Sequence, residues 1–75
     1  MPTREADTTL EFHIDIDREE DGRWIAEIPD LPGVLAYGST KAEAIAAVEA
    51  LALRVIADRI EEEKSAPMSI KFATA

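Results

Sequence analysis

Residues 22–43, GRWIAEIPDLPGVLAYGSTKAE, decide the fold of this chain. Apolar side chains alternate with polar ones from Arg23 to Ile28, which predicts a β-strand. The two prolines of residues 29–33 lack backbone donors, so this segment cannot continue a paired strand and must be a shaped connection. Val34 to Tyr37 then predicts a short third strand, which Gly38 ends.

A long helix is expected directly after this stretch. Thr40 as N-cap with Glu43 three residues later forms a capping box, and the predicted helix runs from Lys41 to Glu63. Residues 64–67, Lys-Ser-Ala-Pro, end it. The stripe predicted to face the sheet consists of Ile45, Val48, Ala52, Val55 and Ile56, flanked by Ala44 and Leu51. Leu53 and Ile60 lie on the helix surface well away from Ala44 and Leu51, so the apolar surface of the helix is wider than one sheet face can cover. A contact with another subunit is the simplest explanation for the extra apolar surface.

Strands are also predicted at both ends of the chain. From Thr9 onward, Leu10, Phe12, Ile14 and Ile16 alternate with Glu11, His13, Asp15 and Asp17. The polar run 18–22 closes on Asp-Gly, which favours a tight turn and an antiparallel hairpin. Met68, Ile70 and Phe72 alternate with Ser69 and Lys71, which predicts a last strand.

Residues 1–7 are polar and expected to be disordered. The prediction is a single α+β domain over residues 1–75, with two layers, an antiparallel sheet, one long helix on one face and the order β-β-β-α-β.

Composition narrows the functional classes. The 75 residues include sixteen acids against eight bases, a net charge of −8, and no cysteine. The acid excess disfavours direct binding of nucleic acid and favours a basic partner or simply solubility. A core this small without disulfides favours oligomerisation. Neither a membrane-spanning stretch nor an apolar signal core is evident, so we expect a cytoplasmic protein.

Catalytic motifs are weak throughout. His13, Asp15 and Asp17 share the polar face of the first strand and could converge on a divalent metal, but a solvated strand face explains them more simply. The hydroxyls of Ser39, Ser65 and Ser69 lie in no nucleophile elbow, and the glycines form no phosphate-binding loop. We therefore expect a binding protein, with no catalytic residue, no metal site and no cofactor. Trp24 is interpreted as core, while Tyr37 at a strand end is an open case between core and contact surface.

The central run Asp21–Val34 and the run Tyr37–Ala44 together resemble the HicB family, the antitoxins of bacterial HicA–HicB toxin–antitoxin systems. The family pattern is a glycine turn, an aromatic-bearing strand, a P-x-L-P-G connection and G-x-T-x-x-E-A at the helix start. The matching positions are Gly22, Pro29, Leu31, Pro32, Gly33, Gly38, Thr40, Glu43 and Ala44. The match covers about residues 10–60, and it identifies a scaffold better than a function.

The resemblance implies a partner and a role. HicA proteins are small basic toxins with a double-stranded-RNA-binding-type fold that cleave mRNA with a histidine, and HicB binds them and occludes that site. An acidic chain suits such a partner, because complementary potentials speed association. HicB-like domains also tend to self-associate, so a homodimer or higher homo-oligomer is expected. Full-length members usually carry a C-terminal DNA-binding module; this sequence contains none up to Ala75, so we expect no direct binding of nucleic acid by this chain.

Two sets of contact residues follow. The predicted toxin contacts are Glu11, Asp15, Asp17, Glu27 and Tyr37. The predicted subunit interface consists of Met68, Ile70, Phe72, Leu53 and Ile60. Two alternatives remain open: an orphan module that only self-associates, and a metal-dependent hydrolase built on His13, Asp15 and Asp17.

Overall fold

The computed structural model describes residues 9–74. The expectation for residues 1–7 lies outside this range. The elements are β1 (Thr9–Arg18), β2 (Trp24–Glu27), β3 (Leu35–Gly38), α1 (Lys41–Glu63) and β4 (Ser69–Thr74). The predicted α+β class with one long helix and the order β-β-β-α-β is confirmed, and the helix has the predicted bounds.

The four strands form one sheet in the order β3-β2-β1-β4. The β1–β2 and β2–β3 pairs are antiparallel, as expected. β4 instead pairs parallel to β1, in a register that runs from Thr9 opposite Ser69 to Ile14 opposite Thr74. The sheet is therefore mixed. The reason is the helix, which at ~1.5 Å per residue carries the chain back along the sheet, so that β4 runs in the same direction as β3 and β1.

The polar run between β1 and β2 is a tight turn. The Gly22 N–H donates to the Glu19 carbonyl at 2.9 Å, and the Glu19 N–H donates to the Arg23 carbonyl at 2.7 Å. Gly22 has φ +94°, in the left-handed region where a side chain is disfavoured. The Asp-Gly signal thus predicted the turn for the correct physical reason.

Backbone hydrogen bonds join the two ends of the proline-containing connection. The Ile28 N–H donates to the Val34 carbonyl at 3.0 Å, and the Leu31 N–H donates to the Ile28 carbonyl at 2.9 Å. Pro29 and Pro32, which have no N–H, take exposed positions, while the Leu31 side chain is only 1 % exposed. The loop is therefore a core element as well as a connection.

The start of α1 is fixed by a cap and by a close approach. The Thr40 hydroxyl accepts from the Glu43 N–H at 3.1 Å. The reciprocal bond goes from the Ser39 N–H, one residue before the N-cap, to the Glu43 carboxylate at 3.0 Å. A Cβ on Gly38 would lie 2.4 Å from the Ala44 backbone nitrogen, so only glycine lets β3 and α1 come this close.

The core lies between α1 and one face of the sheet. Its buried residues are Phe12, Ile14, Ala26, Ile28, Leu31, Val34, Ala44, Val48, Ala52 and Ile56. The helix stripe differs from the predicted one, because Ile45 and Val55 are half-buried whereas Ala44 is fully buried. The contact between Gly38 and the Ala44 turn sets the rotation of the helix, so the buried line runs at four-residue spacing from Ala44.

Candidate binding surface

The side of the sheet that faces away from α1 carries most of the predicted contact residues. We call it the open face. Its strand residues are Thr9, Glu11, His13, Asp15 and Asp17 of β1, Ile25 and Glu27 of β2, Leu35 and Tyr37 of β3, and Ser69, Lys71 and Ala73 of β4. They alternate with the residues that pack under the helix. All five predicted toxin contacts lie on this one surface.

Cross-strand pairing arranges the centre of the open face in two rows. The rows are Leu35–Glu27–Asp15 and Tyr37–Ile25–Asp17, read from β3 to β1. An apolar half on β3 and β2 therefore borders an acidic half on β2 and β1. Leu35 and Tyr37 are 38 % and 43 % exposed, so the apolar half is accessible to a partner.

The fifth predicted contact, Glu11, stands apart from the others. It lies four residues before Asp15 on β1, about 13 Å away along the strand. Its register partner is Lys71 of β4. Glu11 thus faces a cation of the same chain, whereas Asp15 faces Glu27, a second acid. The structure therefore brings together Asp15, Asp17, Glu27 and Tyr37 and separates Glu11 from them.

Tyr37 is held in place by a cation. The Arg23 guanidinium lies 4.4 Å from the centroid of the Tyr37 ring. Asp21 orients that guanidinium, with its carboxylate accepting from Arg23 Nε at 2.8 Å and from the Arg23 backbone N–H at 3.0 Å. These contacts, led by the backbone N–H, lower the pKa of Asp21 below its usual value of 3.8. The arrangement presents a pre-positioned aromatic ring at the edge of the surface.

Several members of this surface were not predicted as contacts. Ile25 and Leu35 supply its apolar half, and Arg23 supports Tyr37. The alternation that puts Ala26 in the core also puts Ile25 on the other face, so the sequence already indicated that Ile25 would lie on the open face. Trp24 lies on the helix side, where it packs against the core and the Arg18 guanidinium lies 5.3 Å from its ring.

The predicted subunit-interface residues divide between two elements. Ile70 and Phe72 belong to β4, with Met68 just before it, whereas Leu53 and Ile60 belong to α1. Met68 and Leu53 are 60 % and 45 % exposed, while Ile60, Ile70 and Phe72 are half-buried against the core. The Phe72 ring stacks on Phe12 with centroids 5.9 Å apart. Beside them, a groove of about 270 Å³ is lined by Leu10, Phe12, Ile56, Arg59, Ile60, Glu63, Ser65, Ala66 and Pro67.

The metal-site alternative gains no support from the geometry. His13, Asp15 and Asp17 do share the open face of β1, but within residues 9–74 no group of three or more His, Asp or Glu side chains is placed to hold a metal ion. Among the same residues, no helix is long and apolar enough to cross a membrane.

A scan against protein-family models, a search of curated proteins and a search of solved structures each found no match for this chain. The resemblance of the loop and the helix start to the HicB pattern therefore stays a prediction.

Proposed function

We propose that this chain is an antitoxin-like binding protein that neutralises a basic, HicA-type mRNA-cleaving toxin by occluding its RNA-binding and active-site surface. The observation that carries the proposal is the open face, where an exposed apolar strip borders three neighbouring acids. The chain acts by binding, without a catalytic residue or cofactor of its own, in the cytoplasm where mRNA is cleaved.

The chemistry of the surface supports a basic protein as the partner. Asp15 and Glu27 lie directly opposite each other, an arrangement that disfavours folding slightly when the sheet is alone. Lysine or arginine side chains of a partner would be attracted to both carboxylates and would offset their mutual repulsion. Ile25, Leu35 and Tyr37 provide apolar area that the partner can bury. A surface that binds RNA through cations would accept these carboxylates in place of phosphates.

The decisive experiment compares two charge-matched triple variants. Asp15→Asn/Asp17→Asn/Glu27→Gln changes the open face, and Asp58→Asn/Glu61→Gln/Glu62→Gln removes three exposed acids from the helix instead. The tagged protein is first used to capture a small basic partner from its source organism at low salt, and the partner is then tested for RNA cleavage. The expected result is that the parent chain and the helix variant inhibit cleavage, whereas the open-face variant has lost most of its inhibition. Equal inhibition by both variants, or a captured protein without RNA cleavage, would refute the proposal.

A self-associating module without a toxin is the second candidate. The exposed Met68, immediately before the edge strand β4, favours it, because a large apolar side chain at a sheet edge is typical of an interface. Under this candidate the pull-down captures the chain itself and no ribonuclease.

A further inference from the structure

The outer edge of β4 offers a ladder of backbone groups to another strand. In the order β3-β2-β1-β4, β4 is a terminal strand of six residues, and nothing within residues 9–74 pairs with its outer side. The helix packs mainly on β3 and β2 and leaves β4 largely uncovered. An edge of this length with apolar side chains beside it is a template for strand addition.

We infer that β4 pairs antiparallel with β4 of a second copy, with Ile70 on the two-fold axis, to form one continuous eight-stranded sheet. A two-fold axis perpendicular to the sheet keeps both helices on the same side and requires antiparallel strands. In this register Ile70 faces Ile70 and Lys71 faces Ser69, while Met68, which immediately precedes β4, comes opposite Phe72 of the copy. This inference concerns self-association and does not rest on the toxin proposal.

The side-chain pattern selects this register over its neighbours. An axis at Lys71 would place two ammonium groups directly opposite each other, which is unfavourable. An axis at Phe72 would pair Ile70 with Thr74 and leave Met68 beyond the paired segment. Only the Ile70 register places Met68, the most exposed large apolar side chain within residues 9–74, opposite Phe72, so that its thioether can contact the Phe72 ring.

Charge favours a second copy at this edge in particular. Each chain carries a net charge of −8, so two copies repel each other over most of their surfaces. Residues 64–74 contain no Asp or Glu, and the only charged side chain of β4 is Lys71, whose register partner on β1 is Glu11. Two copies can therefore meet along β4 without placing acids against acids.

The absence of cysteine from the sequence makes the register directly testable. A disulfide needs Cα atoms no more than about 7 Å apart. With Ile70 on the axis, Ile70→Cys meets its own copy, whereas the two copies of Ser69→Cys or Lys71→Cys lie about 8 Å apart. We expect mild oxidation to give disulfide-linked dimer from Ile70→Cys and little from the other two. A mixture of Met68→Cys and Phe72→Cys chains should give the mixed dimer in preference to either self-linked one. Dominant linking through Lys71→Cys, whose exposed position tolerates the change, would overturn the register.

The dimer itself is tested without cysteine. Sedimentation equilibrium of the unchanged chain should show a concentration-dependent dimer. Met68→Glu should raise the dimer dissociation constant by about tenfold or more, because it puts a charge against Phe72 of the copy. The matched control is Leu35→Glu, an exposed apolar residue on the opposite edge strand, which should leave dimerisation unchanged. A chain that stays monomeric at all concentrations, or equal effects of the two variants, would overturn the inference.

Discussion

Asp15 and Glu27 face each other across β1 and β2 on the side of the sheet that the helix leaves open. Directly opposed like charges on neighbouring strands repel. Under the proposed function, this repulsion lowers the stability of the free protein slightly and is offset when lysine or arginine side chains of a basic partner bind.

The first prediction separates those two effects. Glu27→Gln should stabilise the free chain by about 0.2–1 kcal/mol in urea unfolding at low salt, because it removes the repulsion from Asp15. The gain should shrink at high salt as screening increases. Glu62→Gln on the exposed helix surface is the control and should have no comparable effect. A destabilised Glu27→Gln chain would show that the opposed acids do not repel in the folded state.

The second prediction concerns the contact between β3 and α1. Gly38→Ala should destabilise the fold by about 1–3 kcal/mol, because the new Cβ would meet the Ala44 nitrogen and the Glu43 carbonyl carbon, both backbone atoms. Gly33→Ala is the informative comparison, since its Cβ would enter open space and only its φ of +85° opposes the change. Thermal unfolding of both variants measures the difference. If Gly38→Ala proves the milder of the two, steric contact with the helix is not what requires this glycine.

The third prediction concerns the N-cap. Thr40→Ala removes the hydroxyl that accepts from the Glu43 N–H and should cost about 1 kcal/mol in urea unfolding. Thr40→Ser keeps the acceptor and should retain most of that stability. Equal losses in the two variants would mean that the threonine methyl group, and not the capping bond, is what matters.

The fourth prediction is a pH dependence near the β1–β2 turn. The contacts with Arg23 lower the pKa of Asp21 in the folded state, so the carboxylate stabilises the fold above the unfolded-state value near 3.8. That contribution is lost as the pH falls through the lower folded-state pKa. The melting temperature of Asp21→Asn should therefore lie below that of the parent chain at pH 7. The difference should begin to shrink as the pH falls below 3.8 and should vanish once the pH is below the folded-state pKa of Asp21.

Glu20→Gln, a neutralised acid in the same exposed turn, is the control for general charge effects. The gap between it and the parent chain should show no comparable closure on acidification. A constant gap between the parent chain and Asp21→Asn over the whole pH range would contradict the assignment to Asp21 ionisation.

Local signals in the sequence account for most of the fold. Thr40 and Glu43 marked the helix start, and the alternation around Phe12 and Ile14 marked β1, because caps and two-residue periodicity act within a few residues of the chain. The direction of β4 was not predicted correctly, since alternation indicates a strand but carries no information about its neighbour or its polarity. The buried Leu31 was likewise not foreseen as core, because it lies in a loop without periodicity.

The candidate site was predicted unevenly for a related reason. Asp15, Asp17, Glu27 and Tyr37 lie together, as their polar or aromatic character suggested. Glu11 was grouped with them because it points to the same face of β1. In the structure, however, its neighbour across the β1–β4 pair is Lys71. Which cation stands next to which acid depends on pairing between segments 60 residues apart, and that information is tertiary.

The parallel docking of β4 beside β1 also bears on how the molecule assembles. The Ser69 hydroxyl donates to the Thr9 hydroxyl at 3.1 Å across 60 residues of chain, whereas the β1–β2 and β2–β3 pairs close over short turns. Contacts between segments so far apart in the sequence form slowly, because a long loop must close first. We therefore expect β4 to add to the sheet after the hairpins and the helix have formed. In the monomer, the same strand should then be the first to detach during native-state fluctuations, and its amides should exchange with deuterium faster than those of β2.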